Sequence, residues 1–312
     1  FGGPHAEVAA LGNAGPRAKG ATAYVTLEPC CHTSKKTPPC VPALISAGIA
    51  RVVCAMPDPN SKVSGAGIAQ LQKAGVAVTL GPLSGEAAKL NRAYSHFIQT
   101  NRPWVTLKTA STLDAKLSAS TRWISGKQSR DFVQKIRSEH AAILVGKGTV
   151  LADDPQLTCR FSGFMDQPLR VILDARLETP LSAKVYADAN TLVLCTALAP
   201  KARQDAFRKK GISVEVVAGK NRVDLDAALS ALGKRGVAAL FVEGGAEVAA
   251  SFLDAGLVNE GYFFVAPFFS GKKGVPLAPN NERRFDLSET LCFGPDTCLH
   301  VLMKSVKNGQ NQ

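Results

Sequence analysis

The sequence predicts an α/β fold in two regions, each with a largely parallel sheet covered by helices. Short apolar runs alternate with segments of helical spacing along most of the chain, which is the pattern of parallel strands joined by helices. Asn101-Arg102-Pro103 interrupts this alternation, and 312 residues suffice for two domains of ordinary size. We therefore predict one domain over residues 1–101 and a second over residues 102–312.

The first region is predicted to alternate short strands and helices. An apolar run before Glu28-Pro29 predicts a buried strand over 21–27. A helix is expected to begin at His5 and to include Glu7. The remaining elements are predicted as strands over 51–55 and 76–80 and helices over 41–48, 67–74 and 86–100.

The second region repeats the alternation with longer apolar runs. Ser125 is expected to cap its first helix, and Pro200 to occupy the first position of its second helix. Strands are predicted over 104–110, 142–146, 169–173, 191–195, 213–217 and 238–242, and helices over 127–139, 200–210, 224–235 and 246–254.

Composition and charge exclude several classes of protein. The net charge is +12, but Lys and Arg are spread along the chain and aromatic residues are only 6%. A solvated surface with a few anion-binding arginines is therefore favoured over a nucleic-acid groove. The sequence has no run of eighteen apolar residues, so no membrane-spanning helix is predicted, and it shows no signal-peptide pattern. Of the eight cysteines, all but Cys30, Cys31 and Cys40 are scattered, which indicates free thiols in a reducing compartment, so we expect a cytoplasmic protein.

The first forty residues contain a candidate zinc site. His5, Cys30 and Cys40 are predicted metal ligands, because one imidazole and two thiolates fill three of the four tetrahedral positions of zinc and leave one for water. Cys30 follows a strand, whereas Cys40 is expected to begin a helix, whose free N–H groups favour a thiolate. Cys31 and His32 are alternative ligands, although they are more simply interpreted as loop residues beside the site.

Glu7 is the candidate catalytic residue of this site. It lies two residues after His5, where zinc nucleobase deaminases keep a carboxylate that moves protons without binding the metal. Zinc lowers the pKa of its bound water towards neutrality, and Glu7 would pass a proton to the leaving ammonia. The sequence thus predicts an enzyme that replaces an exocyclic amine by oxygen.

Two glycine pairs in the second region suggest a nucleotide site. Gly146-Lys147-Gly148 follows a strand, but Leu151 stands where the Rossmann fingerprint needs its last glycine. Gly244-Gly245 separates a strand from a helix, and bare N–H groups at a helix start suit a pyrophosphate. A tight turn is the simpler explanation of this second pair when it is considered alone.

Longer motifs identify a family. They are Thr26-Leu27-Glu28-Pro29-Cys30, Thr37-Pro38-Pro39-Cys40, Met56-Pro57-Asp58-Pro59-Asn60, Leu107-Lys108, Leu113-Asp114, Trp123-Ile124, Thr149 to Pro155 and Val242-Glu243-Gly244-Gly245. Together they resemble the bifunctional riboflavin-biosynthesis deaminase–reductase family over nearly the whole chain. The His5-Ala6-Glu7 motif lies almost at residue 1, whereas members of the family have further strands and a helix before this motif. We therefore expect an N-terminally truncated member.

The resemblance implies a fold, two reactions and two cofactors. It implies a cytidine-deaminase-like α/β/α domain followed by a dihydrofolate-reductase-like α/β domain. The first would use Zn²⁺ to deaminate 2,5-diamino-6-ribosylamino-4(3H)-pyrimidinone 5′-phosphate. The second would use NADPH to reduce the ribosyl group of 5-amino-6-(5-phosphoribosylamino)uracil to ribityl. The expected partner is a small phosphorylated pyrimidine substrate, and neither nucleic acid nor a membrane is expected as a partner. The protein is expected to form a homo-oligomer.

The resemblance also implies the residues of the reductase site. The expected cofactor contacts are Ala110, Trp123, Thr149, Asp153, Gly245, Ala246, Glu247, Val248, Ala249, Ala250 and Ser251. The expected substrate contacts are Lys108, Thr121, Arg137, Leu157, Arg160 and Glu243. A clamp of Arg137 and Arg160 on the 5-phosphate makes physical sense, because guanidinium groups bind phosphate bidentately.

Two other functions are compatible with parts of the chain. A tRNA or nucleoside deaminase would explain the zinc motif but would leave about two hundred C-terminal residues without a role. A non-catalytic zinc- and nucleotide-binding module would explain both motifs, but the presence of Glu7 argues against an inactive site.

Overall fold

The computed structural model describes residues 3–33, 37–118, 123–163, 166–272 and 274–303. The chain divides into two compact units, Phe1–Asn101 and Arg102–Gln312. Within the described ranges no helix is both long and apolar enough to cross a membrane.

The first unit is a three-stranded parallel sheet with helices packed against it. Its strands β1 (Thr22–Val25), β2 (Arg51–Cys54) and β3 (Ala77–Leu80) are paired in the order β1-β2-β3. Its helices are α1 (Ala6–Ala14), α2 (Cys40–Ser46), α3 (Ala66–Lys73), α4 (Ser84–Leu90) and α5 (Arg92–Thr100). Val41, Leu44, Val52 and Leu71 form the buried centre of this unit.

Two expectations for the first unit were wrong. The strand predicted as buried is β1, which pairs only with β2 among the described residues, so Tyr24 is 79% exposed. The single helix predicted over 86–100 is two helices that meet at Asn91. The Asn91 side chain donates a hydrogen bond to the Ala87 carbonyl at 2.9 Å, and this local bond competes with a regular helix.

The second unit contains a nine-stranded sheet in the order β11-β12-β10-β4-β9-β5-β6-β7-β8. Pairing is parallel from β10 to β8 and antiparallel between β10, β12 and β11. The strands are β4 (Trp104–Thr112), β5 (Ala142–Gly146), β6 (Leu169–Leu173), β7 (Thr191–Cys195), β8 (Ser213–Val216), β9 (Ala239–Val242), β10 (Glu260–Ala266), β11 (Phe285–Phe293) and β12 (Asp296–Met303). The helices are α6 (Lys127–Ser138), α7 (Lys147–Asp153), α8 (Lys201–Lys209), α9 (Leu225–Lys234) and α10 (Ala246–Asp254).

The predicted cap of α6 and the predicted first residue of α8 were both wrong, although α6 begins at Lys127 as predicted. Gly126, not Ser125, precedes α6, because the buried Asp296 carboxylate accepts from the Gly126 N–H at 2.6 Å and from the Ser129 hydroxyl at 2.5 Å. An acid from a distant strand therefore takes the place of the expected local cap. Pro200 lies one residue before α8, with extended ψ.

Two apolar clusters form the core of the second unit. One contains Ile143, Val145, Ile172 and Val193, and the other contains Leu144, Val171, Leu192 and Leu240. Neighbouring residues of one strand alternate between the clusters, as expected for a sheet covered on both faces. This sheet, packed on both faces, holds the ends of β4, β9, β5 and β6, around which the second candidate site is built.

Candidate functional site

The first candidate site is a cluster of three zinc-ligand types in the first unit. The Nδ1 atom of His5 lies 3.5 Å from the Cys30 sulfur and 3.4 Å from the Cys40 sulfur. Zinc bonds of about 2.3 Å to sulfur and about 2.0 Å to nitrogen, at tetrahedral angles, place sulfur and nitrogen about 3.5 Å apart. The three residues therefore fit a tetrahedral zinc ion.

The surroundings orient these ligands. His5 lies just before α1, and its Nε2 atom is 3.1 Å from the Thr37 hydroxyl, which leaves Nδ1 towards the two sulfurs. Cys40 begins α2, and its backbone N–H donates to the Cys30 sulfur at 3.3 Å. Cys30 and Cys40 are 8% and 0% exposed, so a thiolate pair here is shielded from solvent.

A buried carboxylate fixes the strand end that precedes Cys30. Glu28 is 2% exposed and accepts four backbone N–H bonds of 2.9–3.2 Å, from Asp58, Gly65, Gly67 and Ile68. The start of α3 is thereby tied to the Glu28-Pro29-Cys30 segment. A Cβ atom on Gly67 would lie 2.2 Å from the Pro29 carbonyl oxygen, so the contact requires glycine. We define these residues, Glu28, Pro29, Gly65, Gly67 and Ile68, as the Glu28 clamp.

The other predicted residues of this site lie around the cluster. Glu7 is partly buried in the first turn of α1, two residues after His5. Cys31 and His32 are not in the cluster of His5, Cys30 and Cys40 found among the described residues. Burial raises the pKa of Cys31, with the Glu28 charge adding to the effect, and this disfavours its thiolate.

The second candidate site begins with three charged side chains of the second unit. Lys108 is on β4, Glu243 follows β9, and Arg137 is on α6. Arg137 and Glu243 form a two-point ion pair, with Nε–Oε1 at 2.6 Å and Nη2–Oε2 at 3.1 Å, and their side chains are 12% and 10% exposed. Arg137 also donates to the Thr158 carbonyl at 2.8 Å.

Burial and charge shift the pKa values of this cluster in a defined way. Burial acts to raise the pKa of Glu243, but the positive charges of Arg137 and Lys108 lower it by a larger amount. The pKa of Glu243 is therefore below its ordinary value, and the carboxylate stays charged. Burial lowers the pKa of Lys108, and Glu243 offsets only part of that change. A lysine that loses its proton more readily than usual therefore lies beside a fixed carboxylate.

The predicted phosphate-binding segment lies next to this cluster. Arg160 is exposed and donates to the Thr158 hydroxyl at 3.2 Å, so Arg137 and Arg160 flank the same residue. Leu157 is 5% exposed and adopts a left-handed φ of 53°. A leucine in this conformation is strained, as residues at ligand sites often are. Thr121 lies outside the described residues.

A cavity of about 820 Å³ opens at the carboxyl ends of β9, β5 and β6. The Gly245 N–H at the start of α10 donates to the Thr149 hydroxyl at 3.1 Å. Gly146 and Gly244 support the Val248 side chain, since Cβ atoms there would lie 2.7 and 2.6 Å from it. The size of the cavity fits a dinucleotide, and so does a helix start at which Gly245 has no side chain between the backbone and the cavity.

The predicted cofactor residues only partly line this cavity. Thr149, Asp153, Gly245, Ala246, Glu247, Val248 and Ser251 do so. Ala249 is fully buried in the core, and Ala250 is not in the lining, because only one face of α10 meets the cavity. Trp123 is 57% exposed with Arg130 stacked 4.9 Å from its ring, and Ala110 packs against the core.

Several lining residues are not among the cofactor contacts that the resemblance implies. They are Leu117, Ser118, Ile124, Gly146, Lys147, Gly148, Ala152, Leu173, Ala175, Asn221, Arg222, Val223, Leu225 and Val275. Lys147 belongs to the Gly146-Lys147-Gly148 segment, which suggests a nucleotide site but lacks the Rossmann pattern. Asn221 and Arg222 reach the cavity from the connection between β8 and α9, a contact with no local sequence signal.

Comparison with known protein families matches both units. Residues 2–56 match the model of the cytidine and deoxycytidylate deaminase zinc-binding region, and residues 103–299 match that of the RibD C-terminal domain. The riboflavin biosynthesis protein RibD of Bacillus amyloliquefaciens is 39% identical over 100% of this chain and 87% of its own length. RibD of Aquifex aeolicus is 45% identical over 86% of this chain and 75% of its own length.

Solved structures agree over nearly the whole chain. RibD of Acinetobacter baumannii has a TM-score of 0.88 at 35% identity, over 97% of this chain and 86% of its own. A deaminase/reductase of Thermotoga maritima, acting on diaminohydroxyphosphoribosylaminopyrimidine and 5-amino-6-(5-phosphoribosylamino)uracil, has a TM-score of 0.81 at 30% identity, with the same coverage. The Saccharomyces cerevisiae riboflavin biosynthesis reductase, at 22% identity and a TM-score of 0.54, shares the fold over 69% of this chain and 99% of its own. The chain therefore belongs to the RibD family, bifunctional enzymes of riboflavin biosynthesis that join a zinc-dependent deaminase to an NADPH-dependent reductase.

Proposed function

We propose that residues 1–101 deaminate 2,5-diamino-6-ribosylamino-4(3H)-pyrimidinone 5′-phosphate. We propose further that residues 102–312 reduce the resulting 5-amino-6-(5-phosphoribosylamino)uracil with NADPH. The observation that most supports the first step is the tetrahedral spacing of His5, Cys30 and Cys40. The charged cluster of Lys108, Glu243 and Arg137 supports the second.

In the deaminase half, His5, Cys30 and Cys40 would hold zinc. When bound, zinc makes water a nucleophile near neutral pH. Glu7, in the first turn of α1, would accept the proton of that nucleophile and deliver it to the departing amine.

In the reductase half, the cavity residues Gly245, Thr149 and Asp153 would bind the cofactor. NADPH supplies the hydride when bound, and the protein provides position. Lys108, whose pKa burial lowers, would donate a proton to the sugar oxygen while Glu243 orients it. Arg137 and Arg160, which flank Thr158, would bind the 5-phosphate, with Leu157 next to Thr158 in the chain.

The same proposal covers the setting of the enzyme. No disulfide joins the eight cysteines, all of which lie in the described part of the chain, and this suits a reducing, cytoplasmic compartment. The strand β11 ends the sheet and exposes 61% of Leu287, and an edge of this kind favours pairing with a second copy. A homo-oligomer stays a prediction, to be measured by light scattering on the purified chain.

One assay tests both halves. The purified, zinc-loaded chain is given the diaminopyrimidinone phosphate and NADPH, and ammonia release and NADPH oxidation are followed together. We expect ammonia first and NADPH oxidation after it. Ammonia release from free cytidine at a comparable rate, with no NADPH oxidation, would contradict the proposal.

A further inference from the structure

The cofactor cavity has a direction that the strand order defines. The charged cluster with Lys108 and Glu243 lies at β4 and β9, and Gly245 begins α10 just after β9. A nicotinamide ring beside Lys108 and a pyrophosphate at Gly245 would leave the adenosine half to extend towards β5 and β6. Neighbouring strands lie about 4.8 Å apart, so β9 and β6 are separated by roughly 10 Å, enough for that half.

Two of the described residues that line the cavity are cationic, and both lie beyond Gly245 in this direction. Lys147 follows β5, and Arg222 enters from the connection after β8. Asn221, the neighbour of Arg222, accepts a hydrogen bond of 3.1 Å from Arg176, which follows β6. Two cationic side chains thus lie towards the end of the cavity where the adenine ribose would lie.

Both cations are held by carboxylates that an anion can displace. Arg222 is 2.7 Å from Glu247, with side chains 74% and 69% exposed, and Lys147 pairs with Glu178, with side chains 46% and 44% exposed. Exposed ion pairs of this kind contribute little to stability. A phosphate monoester has a charge of about −1.5 to −2 and three acceptor oxygens, so it competes well with a single carboxylate.

We propose that Arg222, assisted by Lys147, binds the 2′-phosphate of NADPH and makes the reductase select NADPH over NADH. This inference rests on the proposed reductase function and adds its specificity-determining residues. The guanidinium group of Arg222 can grip the 2′-phosphate with two N–H donors, which NADH, with a 2′-hydroxyl, cannot use. Glu247 holds Arg222 in place before the cofactor arrives.

The test is the dissociation constant of NADPH and of NADH, measured by calorimetry on the full chain without substrate. The variants are Arg222→Ala, Lys147→Gln and, as a control, Arg235→Ala, whose exposed ion pair with Glu215 lies outside the cavity lining. We expect Arg222→Ala to weaken NADPH on the order of tenfold or more, because a charge-assisted contact is lost. Its effect on NADH should stay below about twofold, Lys147→Gln should show the same pattern more weakly, and Arg235→Ala should change neither constant.

A competition experiment locates the contact on the ligand. Adenosine 2′,5′-bisphosphate should lose affinity in Arg222→Ala, whereas adenosine 5′-diphosphate should not. Equal weakening of NADPH and NADH would place Arg222 at the pyrophosphate and overturn the inference, as would unchanged NADPH binding. Failure of the unmodified chain to bind either dinucleotide would refute the proposed reductase function itself, and this inference with it.

Discussion

At the residue scale, the zinc cluster separates metal binding from proton transfer. His5, Cys30 and Cys40 supply the ligand atoms, whereas Glu7 lies in the first turn of α1 and is not one of the clustered ligands. Loss of Glu7 should therefore leave the metal and remove the chemistry.

We expect Glu7→Gln to bind one zinc per chain and to lose deamination by about 10²-fold or more, because the amide cannot accept the proton. Zinc is measured by atomic emission and turnover by ammonia release. Glu86→Gln, which changes an acid in the first turn of α4, is the control and should match the unmodified chain. Full turnover by Glu7→Gln would exclude Glu7 as the proton carrier.

The charged cluster of the second unit gives a prediction about pH. Burial lowers the pKa of Lys108 and Glu243 raises it in part, so the protonated lysine is lost at a lower pH than an ordinary lysine would require. Reductase kcat/KM should fall as pH rises through this lowered pKa.

Glu243→Gln removes the opposing charge, so the alkaline limb of the residual kcat/KM should move to lower pH. The profile is measured by NADPH oxidation, with Glu215→Gln, outside the cavity lining, as a control with an unmoved limb. A limb that moves to higher pH in Glu243→Gln would mean that Lys108 does not act in its protonated form.

At the element scale, the Glu28 clamp joins a helix start to a ligand-bearing turn. Gly67 and Gly85 are both second residues of helices, α3 and α4, but only Gly67 faces backbone, because a Cβ atom added there would lie 2.2 Å from the Pro29 oxygen. Apart from its chain neighbours and the backbone of its own helix, no described atom lies within 4 Å of the corresponding position on Gly85.

The two glycines should therefore respond in opposite ways to alanine. Gly67→Ala should cost about 1–3 kcal/mol in unfolding free energy and speed zinc release to a chelator, because the clamp must open. Gly85→Ala should leave stability unchanged or raise it by about 0.5 kcal/mol, and zinc release should not change. Urea unfolding and a chromogenic chelator report the two effects. Equal zinc release in both variants would show that the clamp does not position Cys30.

The elements differ in how far the sequence reveals them. The strands β5, β6 and β7 and the helix α10 match the predicted ranges, because burial in the sheet or against it sets their apolar patterns. The strands β10, β11 and β12 were not predicted. The side chains of β11 are mostly exposed, so its pairing depends on β12 and not on a local apolar pattern.

The same division applies to the two sites. The zinc ligands could be proposed from sequence because few residue types bind zinc and their motifs are short. The Arg137–Glu243 pair joins residues 106 apart, and Arg222 reaches the cavity from the connection between β8 and α9. Such contacts arise from the sheet order, which a single sequence does not specify.

At the scale of the whole molecule, the chain consists of two units with separate cores. The first unit contains the zinc cluster, and the second contains the cavity and the charged cluster. Hydride transfer requires no metal, so the two activities should respond differently to chelation.

Chelation that removes zinc from the full chain should abolish ammonia release and leave NADPH oxidation with the deaminated substrate within about twofold of its starting rate. Zinc added back should restore deamination. A separately expressed 102–312 chain should also fold and reduce, since it contains both apolar clusters of its sheet. Loss of reduction on chelation would show that the second unit needs the metal of the first.

The contact of Val248 with Gly146 and Gly244 limits how the reductase can change during evolution. One side chain fills the space above two strand ends, so a mutation at either glycine must displace α10 before it can alter ligand preference. The side chains of Lys147 and Arg222 are under no such constraint, because they line the cavity but remain exposed. Lineages that exchange one dinucleotide for another should therefore vary at Lys147 and Arg222 while keeping Gly146, Gly244 and Val248. Libraries for cofactor engineering should be built at Lys147 and Arg222.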